Sequence, residues 1–157
     1  MEINEIGEFG LIEKLRRKIG KRSNRIKLGP GDDCAVVTAP DHNMLITADT
    51  LIEDVHFELH YISPEMLGKK SIVVNLSDIA AMGGTPLYIL ISLGVPISTK
   101  VEFVEKLYLG FESMAKKYNC NIVGGDISKS INGLIISITV IGEVKKNVLI
   151  RRAGARI

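Results

Sequence analysis

The amino-acid sequence predicts one α/β or α+β domain with helices packed on a sheet. Two runs read as strands: "LYILISLGV" (87–95) is continuously apolar, and "LIISITVIGEV" (134–144) is long and rich in β-branched residues. Segments with apolar residues at helical spacing precede and separate them, and clusters of glycine and proline mark the joins. Read from the N-terminus, the order is α, β, β, α, β, α, β, β, with no internal repeat, low-complexity tract or linker.

Residues 5–19 place Ile6, Phe9, Ile12, Leu15 and Ile19 at helical spacing, with Gly20 as a stop. "LGPGDD" (28–33) is a loop by its glycines and proline. "CAVVTA" and "MLITAD" are short strands joined by the turn-like "PDHN". Ser63 followed by Pro64 makes an N-cap and first helical residue, so a long helix is expected to about Met82, ended by Gly83 and Gly84. After "LYILISLGV", Ser98 or Thr99 is expected to open a helix whose stripe includes Phe103, Leu107, Phe111 and Ala115. "NIVGG" (121–125) reads as a short strand, "LIISITVIGEV" as a long one, and "VLI" (148–150) as a further short one.

Composition narrows the functional classes. With 46% apolar and 24% charged residues over 157 positions, the chain can bury a core. No apolar run approaches the roughly 20 residues that span a bilayer. The acidic "MEINEIGEFG" start is not a signal peptide, so a cytoplasmic location with no membrane partner is expected. Net charge is only +2. The basic cluster "RRKIGKR" (16–22) suits a nucleic-acid arm or the solvated end of a helix, whose last turn favours cations. Without interleaved aromatic residues the second reading is preferred, and no nucleic-acid partner is expected. Cys34 and Cys120 are too isolated for a disulfide framework or a zinc site, which leaves oxygen ligands for any metal.

The carboxylates carry the functional signal. Asp78 stands in "VNLSDIAAMGG" among Leu76, Ile79, Ala80 and Met82, where burial without a partner is costly. Asp32 and Asp33 lie in the glycine loop, Asp49 ends "MLITAD", and Asp126 follows "IVGG". Taken singly each is a plausible turn or cap residue, and an Asx turn accounts fully for Asp32. Brought together, the acids would repel unless cations sat between them. Magnesium fits, because it takes hard oxygen ligands and binds through a few carboxylates plus substrate phosphates. Thr47 and Thr50 flank Asp49 as sources of a hydroxyl. The glycines of "GPGDD", "MGGTP" and "VGGD" let backbone approach a phosphate. Neither a P-loop nor a G-x-G-x-x-G fingerprint is present. His56 in "DVHF" reads by itself as a core or edge residue, and no nucleophile–base pair can be argued from spacing, so no catalytic residue is assigned.

In order and spacing, "GPGDDCAVV", "TADTLIEDVHF", "GKKSIVVNLSDIAAMGGTPLYILISLGVP", "NIVGGDISKS" and "RRAGA" resemble the N-terminal half of the thiamine-monophosphate kinase family. That family belongs with aminoimidazole ribonucleotide synthetase, selenophosphate synthetase and a hydrogenase maturation factor. "NLSDIAAMG" and "GGD" are shared across the group, whereas "TADTLIEDVHF" favours the thiamine enzyme. The resemblance implies a mixed sheet with helices on one face, and transfer of the γ-phosphoryl of ATP to thiamine monophosphate, giving thiamine diphosphate. Carried over by position, Asp33, Thr47, Asp49, Asp78 and Asp126 would bind Mg²⁺, and His56 would contact the thiamine substrate. Gly125, Asp126 and Arg152 would serve the nucleotide, with Arg151 a competitor for Arg152. Tyr108 would lie near the adenine, with core packing as its alternative. The hydroxyl residue that the family often places before the aspartate of "TDT" is here Ala48.

The resemblance also implies a second domain after "R-x-GA" and a homodimer whose sheets join across the interface. A single domain over 1–157 is therefore expected, as a stand-alone half or a piece of a longer chain. Two other readings are another ATP-using member of the group, of hydrogenase-maturation or purine-synthesis type, and a non-catalytic nucleotide-binding or dimerisation module.

Overall fold

In the computed structural model, which describes residues 2–19 and 23–153, the elements follow the predicted order with one strand added. They are α1 (Ile3–Lys18), β1 (Ile26–Leu28), β2 (Ala35–Thr38), β3 (His42–Ile52), α2 (Pro64–Ala81), β4 (Thr85–Pro96), α3 (Val101–Lys117), β5 (Asn121–Ser130) and β6 (Ile135–Lys145). The expected stop at Gly20, Lys21 and Arg22 of the basic cluster, and Gly154 and Ala155 of "RRAGA" lie outside the described residues.

The strands form one six-stranded sheet in the order β1-β2-β3-β6-β4-β5. β4 pairs with β5 in parallel and with β6 antiparallel, so the sheet is mixed. Along β3 and β6 burial alternates, which separates two faces. Leu45, Ile136, Ile138, Val140, Ile89 and Ile91 point to one face and are closed over by Leu67, Ile72 and Ile79 of α2 and by Leu107 and Phe111 of α3. The opposite face, with Met44, Ile46, Leu90 and Ile141, carries no helix and is only half-buried.

Local chemistry explains the boundaries. Ser63 caps α2 by accepting the Met66 N–H at 3.3 Å, Pro64 opens the helix, and Gly83 at φ 71° ends it, as predicted. α3 opens differently from the expectation. Thr99 donates its N–H to the Pro96 carbonyl in a turn, which leaves Lys100, without a side-chain cap, at the N-cap. β3 does not end at Asp49, because β6 pairs with it continuously from His42 to Ile52. β5 runs well past "NIVGG" to Ser130, drawn out along β4 by the parallel ladder. "VLI" forms no strand, although Ile150 N–H donates to the Met82 carbonyl at 3.2 Å. α1 is helical as predicted, with non-helical backbone at Gly7, yet it buries none of its described residues. Both thiols are buried and free, and burial pushes Cys34 up to about 12, so neither is a ready thiolate.

Two glycines set how closely α2 and α3 cross. A Cβ on Gly110 would stand 2.1 Å from the Glu65 carbonyl oxygen, and one on Gly68 would stand 2.2 Å from that of Leu107. Both obstacles are backbone, so relief requires the helices to part. Gly110→Ala is expected to destabilise the fold by about 3 kcal/mol, the upper end for overpacking, in a urea titration followed by circular dichroism. An unchanged midpoint would refute the close crossing.

Candidate functional site

The Gly29–Asp33 loop, the middle of β3, the C-terminal half of α2 and the segment after β6 converge on an open cavity of about 580 Å³. Asp33, Thr47, Asp49, Asp78 and Arg152 line it, with Arg16 and Phe9 of α1 across the mouth. The sheet's pleat puts Thr47 and Asp49 on the helix-covered face, and α2 brings Asp78 against them. The Thr47 hydroxyl donates to Asp78 Oδ2 at 2.7 Å, and the Asp49 N–H donates to Asn75 Oδ1 at 3.0 Å. Asn75 is in turn held by its own Nδ2, which donates to the Ser71 carbonyl at 3.2 Å. Ser71, Asn75 and Asp78 thus form a polar column on an otherwise apolar helix face.

Acidic side chains crowd the cleft, and Arg152 offsets part of their charge. Burial raises the pKa of Asp78, the Thr47 hydrogen bond lowers it, Asp49 and Asp33 raise it further, and Arg152 lowers it. The Arg152 guanidinium donates to Asp33 Oδ1, and its own pKa is raised chiefly by that bond. Among the described residues no three acidic, histidine or cysteine side chains stand close enough to hold a metal by themselves. The donor set still suits a hard cation: it consists of carboxylates and one hydroxyl, all oxygen, with charge repulsion that only cations relieve.

Four of the five predicted metal-site residues, Asp33, Thr47, Asp49 and Asp78, are therefore brought together, and Arg152 joins them. Asp126 is elsewhere. It lies within β5, exposed, in register with Ser92 of β4 and on the face that carries no helix. β5 is three strand positions from β3, roughly 14 Å at the usual spacing. Gly125 is there for packing: a Cβ would fall 1.7 Å from the Ile91 carbonyl oxygen. His56 is exposed just beyond β3, where its Nδ1 accepts the Ile52 N–H at 3.0 Å. Tyr108 stacks edge-on against Phe111, ring centroids 5.2 Å apart, and does not line the cavity. Asn75 and Arg16 were missed as neighbours of the site. The helical spacing of Ser71, Asn75 and Asp78 was the available signal for Asn75, whereas nothing local marked Arg16.

The family described as "AIR synthase related protein, N-terminal domain" matches residues 31–144. The chain is similar to the thiamine-monophosphate kinase of Bacillus subtilis, 40% identical over 95% of this chain and 46% of that protein. The enzyme of the same name from Aquifex aeolicus is 40% identical over 100% of this chain and 48% of that protein. A solved structure of "AaThiL complexed with AMPPCP and TMP" superposes with a TM-score of 0.87 at 41% identity, covering 100% of this chain and 48% of that one. The chain thus spans about half the length of the curated relatives it matches.

Repulsion inside the cleft should be measurable as stability. Asp78→Asn keeps the shape, removes one desolvated charge, and is expected to stabilise the metal-free protein by about 1 kcal/mol in thermal unfolding with chelator present. A lower melting temperature would mean that Asp78 is already neutralised by a partner.

Proposed function

The chain belongs to the AIR synthase related family through its N-terminal domain, and from that premise we propose that it is the metal- and nucleotide-binding half of a kinase that transfers the γ-phosphoryl of ATP to thiamine monophosphate. The observation that carries the reading is the convergence of Asp33, Thr47, Asp49, Asp78 and Arg152 on one cavity. Support comes from the names of the relatives that match the chain almost end to end.

Asp33, Asp49 and Asp78, with the Thr47 hydroxyl, would hold Mg²⁺, which supplies charge neutralisation for the β- and γ-phosphate oxygens. Asn75 holds the Asp49 main chain, and Thr47 aims the Asp78 carboxylate, so the ligands are preorganised. Arg152 leaves Asp33 for a phosphate oxygen when nucleotide enters. The attacking atom is a phosphate oxygen of thiamine monophosphate, already ionised at neutral pH, so no protein base is needed. His56 contacts the thiamine substrate with the ring edge left free by its Nδ1 bond.

The homodimer forms through the face of the sheet that bears no helix. Ile46, Leu90 and Ile141 lie on that face beside Ser92 and Ser137. Asp126 shares it, so this acid serves a metal site only where a second chain approaches. The proposed location is the cytoplasm, and no helix of the described residues is long and apolar enough to cross a membrane.

Thiamine diphosphate formation from thiamine monophosphate and Mg·ATP is the direct test. Product from the 157-residue chain, lost on omitting magnesium, is expected if this half suffices. Mg·ATP binding without turnover, with product restored by the C-terminal half of a relative, is expected if it does not. No magnesium-dependent ATP binding overturns the proposal. Asp78→Asn and Asp126→Asn are each expected to weaken that binding by about 10-fold or more.

A separate outcome concerns assembly. Ile141→Lys puts a charge in the middle of the open face and is expected to convert a dimer to monomer in sedimentation equilibrium, with little change in helix content. A dimer that survives the substitution places the interface elsewhere.

A further inference from the structure

Asp32 looks in sequence like a turn residue, and it does accept the Asp33 N–H at 3.1 Å. The structure gives it a longer reach. The same Oδ1 accepts the main-chain N–H of Arg152 at 3.1 Å, and Oδ2 faces Arg151 Nε at 3.6 Å. The Asp32 side chain is 7% exposed, against 50% for Arg151 and 62% for Arg152. The carboxylate is thus the buried anchor, and the arginines lie over it. Charge-assisted bonds to a sheltered carboxylate are stronger than the exposed ion pairs that contribute little.

The geometry also separates two tasks. Asp32 holds the main chain of Arg152, while Asp33 holds only its guanidinium. An arginine side chain can therefore swing away from Asp33 without the segment leaving the loop. A second tether lies just upstream: Ile150 N–H donates to the Met82 carbonyl, and the Met82 sulfur accepts the Cys34 N–H at 3.1 Å. The segment after β6 is thereby led across the end of α2 onto the loop that carries Asp33.

We propose that Asp32 is a positioning residue: it docks the Arg151–Arg152 segment on the Gly29–Asp33 loop, so that the arginine for phosphate and the acid for metal meet at one cavity. The inference rests on the proposed nucleotide function and assigns the coupling between its two binding elements to a residue that is not itself a ligand.

Binding of magnesium alone and of the ATP analogue AMPPCP with magnesium, measured by calorimetry on the 157-residue chain, tests this alongside mass-spectrometric mapping of tryptic cleavage. Asp32→Ala is expected to leave the affinity for magnesium alone unchanged and to weaken magnesium-dependent AMPPCP binding about tenfold, the range for outer partners of a metal site. Cleavage after Arg151 and Arg152 is expected to accelerate in parallel. In an Arg152→Ala background, Asp32→Ala is expected to add nothing. Asp32→Asn, which keeps the acceptor for both N–H groups and loses the charge opposite Arg151, is expected to fall between and covers the case where the alanine variant fails to fold. Loss of binding to magnesium alone would make Asp32 a ligand, and additive effects with Arg152→Ala would make it a turn residue only. Either outcome overturns the inference. A parent chain that binds no AMPPCP overturns the proposed function, and the inference falls with it.

Discussion

Carboxylates gathered in one cleft repel one another, and the arrangement around Asp78 is built to withstand that repulsion. Burial and the neighbouring Asp49 and Asp33 all push its pKa up, opposed by the Thr47 hydroxyl and by Arg152. The fold supplies the restraint from several elements at once. β3 provides the hydroxyl, α2 provides Asn75 for the Asp49 main chain, and the segment after β6 provides the guanidinium on Asp33. Such a cluster is a poor stability device and a good receptor for hard cations, because the binding of each cation relieves strain already present.

How much of this was legible depended on whether a residue's role is local. Asp78 was conspicuous because a charge within an apolar helix has few bland explanations, and the ends of α2 followed from Ser63, Pro64 and Gly83. The start of β5 was read in "NIVGG", but its extension from Asp126 to Ser130 was missed for the opposite reason. It is an edge strand whose residues from Val123 to Lys129 are all exposed, so no apolar alternation advertises it, and main-chain pairing with β4 alone draws it out. That shifted Asp126 from a strand end to a strand interior. The helix of α1 was visible in its spacing, but spacing cannot say what a stripe faces, and here it faces none of the core. Gly68 and Gly110 carry no signal in isolation, since each is required only by the other helix. The contact between Asp32 and Arg152 joins positions 120 residues apart, beyond any local pattern.

The sheet divides the proposed metal ligands between its two sides, and this division explains why Asp126 does not reach the cavity. Register places Thr50, Ser137, Ser92 and Asp126 in a single row across β3, β6, β4 and β5, on the face without helices. Within that row the Thr50 hydroxyl donates to Ser137 Oγ at 2.9 Å, and Asp126 accepts from the Ser128 hydroxyl at 2.6 Å. A polar row crossing an apolar face is costly to cover unless the covering surface answers it with partners of its own. A second copy of this sheet carries the same row, so hydroxyl can meet hydroxyl or carboxylate in one register and not in others. The apolar residues would then supply the drive to pair, and the polar row would select the register. In that arrangement Asp126 is a residue of the interface first, and its service to a metal site depends on the mate that the row has aligned.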